Sequence, residues 1–164
     1  MKNWYALYTR SRAEKKVKKL LEEKGIEVYL PLYKTLRQWS DRKKKVELPL
    51  FSSYIFVKID IKNINEIIDI QGIVRFVRFS GEINPIPESQ ISLIHRILSE
   101  PYEVEPYLEN PKKGTKVEIE LGALKGLRGE LIDYRGKSKV IIRLDSLDKS
   151  VILNIPLNHI RSIR

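Results

Sequence analysis

Two histidines, no cysteine and scattered carboxylates are the whole stock from which this 164-residue chain could build metal or nucleophilic chemistry. His95 falls in a helical stretch and His159 near the C-terminus, neither at metal-ligand spacing from a second ligand type. Without cysteine there is no disulfide framework, no thiolate zinc site and no thiol nucleophile, which fits a reducing compartment. The chain contains neither a phosphate-binding P-loop nor a nucleophile elbow. Its paired carboxylates, Glu22-Glu23 and Glu118 with Glu120, fall on polar faces where solvated charge is the simplest reading. Nothing brings a nucleophile, a base and an oxyanion site together. The expectation is a protein that is not an enzyme and takes no cofactor or metal.

The informative residues are aromatic and basic. In the run Phe51-Ser52-Ser53-Tyr54-Ile55-Phe56-Val57-Lys58-Ile59, strict alternation puts Phe51, Ser53, Ile55 and Val57 on one face. Ser52, Tyr54, Phe56 and Lys58 fall on the other. Neighbouring aromatics on one sheet face mean either a docking patch for a partner or the underside of a packed helix, and the alternation leaves both open. The run half-matches the RNA-stacking strand of an RRM, but Ser52 replaces the glycine and Ile59 the last aromatic.

The elements that position these residues are legible. Trp4, Ala6 and Tyr8 alternate with Tyr5, Leu7 and Thr9, so the first strand has both faces covered. Ser11 precedes Glu14 at capping-box spacing and predicts a helix through Lys24, with Ala13, Val17, Leu20 and Leu21 inward and Gly25 ending it. Strands are predicted over 26–30, interrupted by Pro31, and over 48–59, with a basic hairpin or long loop at 35–45 turning at Ser40-Asp41. A second helix over 63–70, capped by Asp60 or Asn63 and stopped by Gly72, leads to a strand at 73–79 and a third helix opened by Pro87-Glu88-Ser89. Pro101, Pro106 and Pro111 punctuate an acidic segment read as a linker. Beyond it, strands at 115–121, 129–135, 138–144, 150–155 and 160–163 with recurring glycines predict a small all-β barrel. The fold class is α+β, with domains at 1–100 and 112–164 joined by a linker at 101–111.

Apolar residues make up 42% and charged residues 32%, so the chain can bury a core. Residues 1–58 hold 15 Lys/Arg against 6 Asp/Glu, residues 59–111 hold 4 against 9, and residues 112–164 hold 12 against 6. Two basic blocks flanking an acidic middle suit a polyanion or an acidic protein surface, though a solvated surface accounts for the charge equally well. The longest uncharged run, 48–57, has ten residues, against about 18 for a membrane span. With no signal-peptide core at the start, the expectation is a soluble, cytoplasmic protein without membrane contact.

Trp4-Tyr5-Ala6-Leu7-Tyr8-Thr9, the basic helix after it, the motif at 49–57 and Gly72-Ile73-Val74-Arg75-Phe76-Val77-Arg78-Phe79 together resemble the NusG N-terminal (NGN) domain. Residues 112–160, centred on Gly122-Ala123-Leu124-Lys125-Gly126-Leu127-Arg128-Gly129, resemble an SH3-like KOW barrel. The resemblance covers nearly the whole chain in order, with Ser52 where the family usually has proline. Arg37-Gln38-Trp39-Ser40-Asp41-Arg42-Lys43 further resembles UpxY-type antiterminators of long polysaccharide operons, and the opening and length resemble RfaH-like and LoaP-like paralogues.

The resemblance implies an elongation factor that docks on the clamp helices of the largest RNA polymerase subunit and suppresses pausing or termination. It implies a docking patch of Tyr8, Phe51, Tyr54, Phe56 and Phe79, with Tyr54 and Phe56 carrying most of the binding energy, and Asn63 to Asn65 approaching the opposite lobe. Arg10, Arg12, Lys15 and Arg75 would face non-template DNA. Lys125 and Arg128 would meet nascent RNA or a ribosomal protein, around glycines that supply tight turns. One branch of the family refolds this domain between helix and barrel; five glycines and β-branched strands here predict a permanent barrel, and nothing in the sequence suggests more than a monomer. The competing reading is a ribosomal or rRNA-binding KOW protein, in which Tyr54 and Phe56 would stack on bases.

Overall fold

The computed structural model describes residues 1–108 and 114–164, so the end of the 101–111 segment and the start of the 112–164 segment lie outside the described residues. The chain forms two compact units: Met1–Leu32 with Glu47–Ser92, and Tyr33–Val46 with Leu93–Arg164.

In the first unit, β1 (Asn3–Thr9) leads to α1 (Glu14–Glu23) and β2 (Glu27–Tyr29). In chain order the hairpin of β3 (Leu32–Gln38) and β4 (Lys43–Pro49) comes next, with residues 33–46 belonging to the second unit, and the first unit resumes with β5 (Tyr54–Ile59), α2 (Ile64–Ile68) and β6 (Ile73–Phe76). Helix α3 (Glu88–Ser99) begins in the first unit, and its residues from Leu93 onward belong to the second. The antiparallel sheet runs β2-β5-β1-β6. Register decides the faces: Tyr5 lies opposite Val57 and Leu7 opposite Ile55, and these join Val17 and Leu21 of α1 and Ile67 of α2 in one core. Burying each such side chain contributes about 1.5–3 kcal/mol, more than any exposed ion pair supplies.

The Ser11–Glu14 capping box does not form. Arg12 takes a left-handed conformation (φ 61), the Ala13 amide donates to Arg10 O at 3.0 Å, and the helix starts at Ala13 with no side-chain cap. That turn moves the N-terminus past Ser11 and sends Glu14 into the interior. The C-terminus behaves as its glycine predicts: Gly25 (φ 75) donates to Glu22 O and Ile26 to Leu21 O, a Schellman closure. Asp60 accepts from the Lys62 amide at 3.1 Å and caps the 3₁₀ turn Ile61–Asn63 that opens α2, whereas Asn63 makes no side-chain cap. Gly72 (φ 98) then lets the chain pass α1 so closely that a Cβ would lie 2.7 Å from Val17 Cγ2.

The run 48–59 is two strands, not one. β4 ends at Pro49, Ser53 takes φ 59, and β5 begins at Tyr54. The left-handed residue breaks the alternation assumed for Phe51. Likewise the strand predicted over 73–79 ends at Phe76, and a tight turn at Ser80-Gly81 pairs Phe79 with Glu82.

In the second unit, β7 (Glu103–Pro106) lies within the segment expected to be a linker and pairs with β11 (Lys149–Asn154). With β8 (Thr115–Ile119), β9 (Arg128–Tyr134), β10 (Lys137–Leu144) and β12 (Ile160–Ser162) they form one six-stranded sheet in the order β12-β8-β9-β10-β11-β7. Tyr107, Ile132, Ile141 and Ile152 pack together in its interior. Gly122 and Gly126 take the positive φ that a turn requires, but Gly129 does not: it sits within β9, where a Cβ would come 2.6 Å from Ile141 O. Among the described residues no helix is long and apolar enough to cross a membrane.

Candidate functional site

The sheet face turned away from the α1 core carries the aromatics. Cross-strand register aligns them in rows: Tyr29–Phe56–Ala6 from β2 to β1, and Tyr54–Tyr8–Arg75 from β5 to β6. Opposed positions in a sheet point to the same side, so each row is a continuous strip of side chains. Tyr8 and Tyr54 meet edge to face at 5.4 Å, Tyr54 and Phe56 at 5.5 Å, and Tyr29 stacks on Phe56 at 6.2 Å with an interplanar angle of 26°. Burial pushes the Tyr29 phenol well above the usual tyrosine range, so it stays protonated.

Phe51 belongs to this cluster and not to the opposite face, with ring centroids 6.1 Å from Tyr54 and 6.3 Å from Phe56. The turn at Ser53 reverses its expected orientation. The alternation left the exposure of Tyr54 and Phe56 open, and the structure buries both. They are 1% and 0% exposed, and Phe51 is 5%. They are a packed layer and offer no contact surface themselves. Tyr8 and Tyr29 are half-buried, and Tyr8 is covered on one side by the Arg75 guanidinium at 5.1 Å from its centroid. The Tyr54–Tyr8–Arg75 row thus grades from fully buried to exposed across three strands.

At the other end of the same face, Trp4 Nε1 donates to Glu88 Oε2 at 2.9 Å, and Lys58 Nζ lies 3.6 Å from the same oxygen and 5.9 Å from the Trp4 ring centroid. This three-residue clasp anchors the first turn of α3 and was absent from the sequence reading. No local pattern links three residues so far apart in the chain, although a carboxylate in the first turn of a helix is well placed to accept from an indole N–H and an ammonium.

The other expected residues are more dispersed. Arg10, just past β1, is exposed, and its amide donates to Gly72 O at 2.8 Å, which holds it beside the start of β6. Arg12 is exposed on the left-handed turn, and Lys15 reaches Glu47 O at 3.4 Å. Arg75 is committed to Tyr8 as well as to the basic edge. Phe79 is half-buried in the 79–82 turn, while Asn63 and Asn65 are exposed at the start of α2. In the second unit Lys125 is exposed on its turn, but Arg128 Nε is engaged by Glu118 Oε1 at 3.4 Å. Among the described residues no group of three or more His, Cys, Asp or Glu is placed to hold a metal ion.

A family model described as "Transcription termination factor nusG" matches residues 2–95. The chain is 25% identical over 182 residues to the transcription termination/antitermination protein NusG of Borreliella burgdorferi, an alignment covering 98% of each protein. Among solved structures, one described as "Domain interaction in Thermotoga maritima NusG" aligns over 100% of this chain and 98% of its own at a TM-score of 0.58 and 21% identity. That likeness supports the fold.

Proposed function

The chain belongs to the NusG family, and on that premise we propose that it is a transcription elongation factor that docks on RNA polymerase through the Tyr8–Arg75 edge of its first unit. The observation that carries this reading is the Tyr54–Tyr8–Arg75 row, in which a buried aromatic layer holds one tyrosine ring of β1 beside the exposed guanidinium of the edge strand β6. A ring fixed on its inner side loses little conformational freedom on binding, which is what an interface anchor requires. Phe51, Tyr54 and Phe56 act beneath it as the support that sets its orientation.

The factor makes or breaks no bond. By holding the polymerase clamp closed it disfavours the paused state, a population shift by differential binding. A tenfold preference for the closed state needs about 1.4 kcal/mol. An aromatic edge contact contributes about 0.5–1.5 kcal/mol, which is of the size such a preference requires. In the same reading Phe79 extends the edge and Asn63 and Asn65 approach the opposite lobe. Arg10, Arg12 and Lys15 hold non-template phosphates. The KOW-like segment presents Lys125 and Arg128 to nascent RNA or a ribosomal protein. The effect is antitermination, on a specific operon.

The test is binding of the full chain to a stalled elongation complex, compared with Tyr8→Ala and Arg75→Ala. Loss of binding in variants with unchanged urea midpoints, together with terminator readthrough by the wild type, supports the reading. Wild-type protein that ignores the complex but binds rRNA would replace it with the ribosomal alternative.

A further inference from the structure

We propose that the β3–β4 hairpin is a nucleic-acid-binding ribbon that enters the major groove of duplex DNA. The inference is independent of polymerase docking and rests on a different element. The hairpin forms a two-stranded sheet of its own, and the Trp39 amide closes its turn on Arg42 O at 2.7 Å. That pairing sets Gln38 opposite Lys43 and Leu36 opposite Lys45. The burial pattern agrees with it: Lys34, Leu36, Gln38, Lys43, Lys45 and Glu47 share one face and every one of them is exposed. On the other face Tyr33, Thr35, Val46 and Leu48 are half-buried and anchor the base, while Arg37, Lys44, Trp39 and Arg42 stand exposed at the tip.

Three features select the ligand. The first is charge. Residues 36–45 carry five Lys/Arg against Asp41 alone. These cations occupy both faces, with Lys43 and Lys45 on one and Arg37, Arg42 and Lys44 on the other. A flat acidic protein surface would use one face and leave the other unpaired, whereas a groove has phosphates along both walls.

The second is size. A B-form major groove is about 12 Å wide and admits a two-stranded ribbon, and its depth is about 8.5 Å. The exposed pairs 36–38 with 43–45 span about 10 Å at about 3.4 Å per residue. The deep, narrow major groove of A-form RNA would exclude the same ribbon.

The third is the chemistry at the tip. Trp39 is 53% exposed and Leu36 59%, a large apolar area to leave in water. Arg37 and Gln38 are the side-chain types that pair with guanine and adenine edges, and an apolar side chain packs on the thymine methyl.

Fluorescence anisotropy of the full chain, without polymerase, on a mixed-sequence DNA duplex and on RNA of the same sequence, duplex and single-stranded, tests this. Lys43→Ala/Lys44→Ala/Lys45→Ala should weaken DNA binding by about tenfold or more and reduce the slope of log affinity against log salt by about 2.7. Lys137→Ala, which removes an exposed cation with no assigned role, should leave both unchanged. Wild-type protein should protect guanine N7 from dimethyl sulfate, because that atom lies in the major groove. Undiminished binding by the triple variant, equal affinity for RNA, or unprotected N7 would each overturn the proposal. The footprint uses only wild-type protein, so it decides the matter even if the variant folds poorly. None of these results bears on polymerase docking.

Discussion

Two tyrosines in direct contact should respond to truncation in opposite ways, because one is buried and the other reaches the surface. Tyr54 is 1% exposed, so Tyr54→Ala leaves a cavity and should cost about 3 kcal/mol or more of stability, read from urea unfolding. Tyr8→Ala removes a half-buried ring at the edge and should chiefly weaken polymerase binding, with only a small shift in the urea midpoint. Equal destabilisation by both would mean that Tyr8 is a packing residue and no anchor. A second residue-scale prediction concerns Gly72, whose φ of 98 and close approach to Val17 Cγ2 leave no room for a methyl group. Gly72→Ala should lower stability by more than about 1 kcal/mol, seen as a reduced thermal midpoint. The aromatic identities were readable from the sequence, but the exposure of each was not. Alternation assigns a face to a side chain and says nothing about what covers that face.

Among elements, α1 offers a sharp contrast between pattern and structure. Were Ser11 the cap, Ser11→Ala would cost about 1 kcal/mol. Because the helix begins at Ala13 without a side-chain cap, the change should stay within about 0.5 kcal/mol, measurable by urea titration. The motif spacing was present in the sequence, but a left-handed Arg12 intervenes, and no local propensity announces a left-handed arginine. In the second unit, Glu130 receives both guanidinium hydrogen bonds of Arg143 at 3.0 Å and the Gly114 amide at 3.1 Å, joining β10 to β9. The Arg143 bonds, with the amide assisting against burial, hold the Glu130 carboxyl below its ordinary pKa. A depressed carboxylate pKa stabilises the fold above the unfolded value, near 4.3, and that contribution is lost as pH falls through the folded value. The wild type should therefore lose more stability than Glu130→Gln as the pH falls below the unfolded carboxylate value. Parallel acid titrations of the two would contradict the account.

For the whole molecule, the net charge of +10 divides between two basic stretches and an acidic one. Polymerase docking through an aromatic edge should depend weakly on salt, whereas duplex DNA binding through the hairpin should fall steeply. Titrating both ligands over the same salt series separates the two, and identical slopes would reduce both to a general electrostatic attraction. The sequence by itself determined the main helices and strands, the two basic blocks, the split of β1 into two faces, the turn at Ser40-Asp41 and the all-β C-terminal part. These follow from periodicity, turn residues and glycine positions, which act over a few residues. Tertiary structure alone decided that Phe51 joins Tyr54 and Phe56, that this layer is buried and Tyr8 emerges from it, and that Glu88 clasps Trp4 and Lys58. It also recruited Glu103–Pro106 into the second sheet. Each depends on contacts between residues far apart in sequence or on a single left-handed residue, and neither leaves a local periodicity to be read.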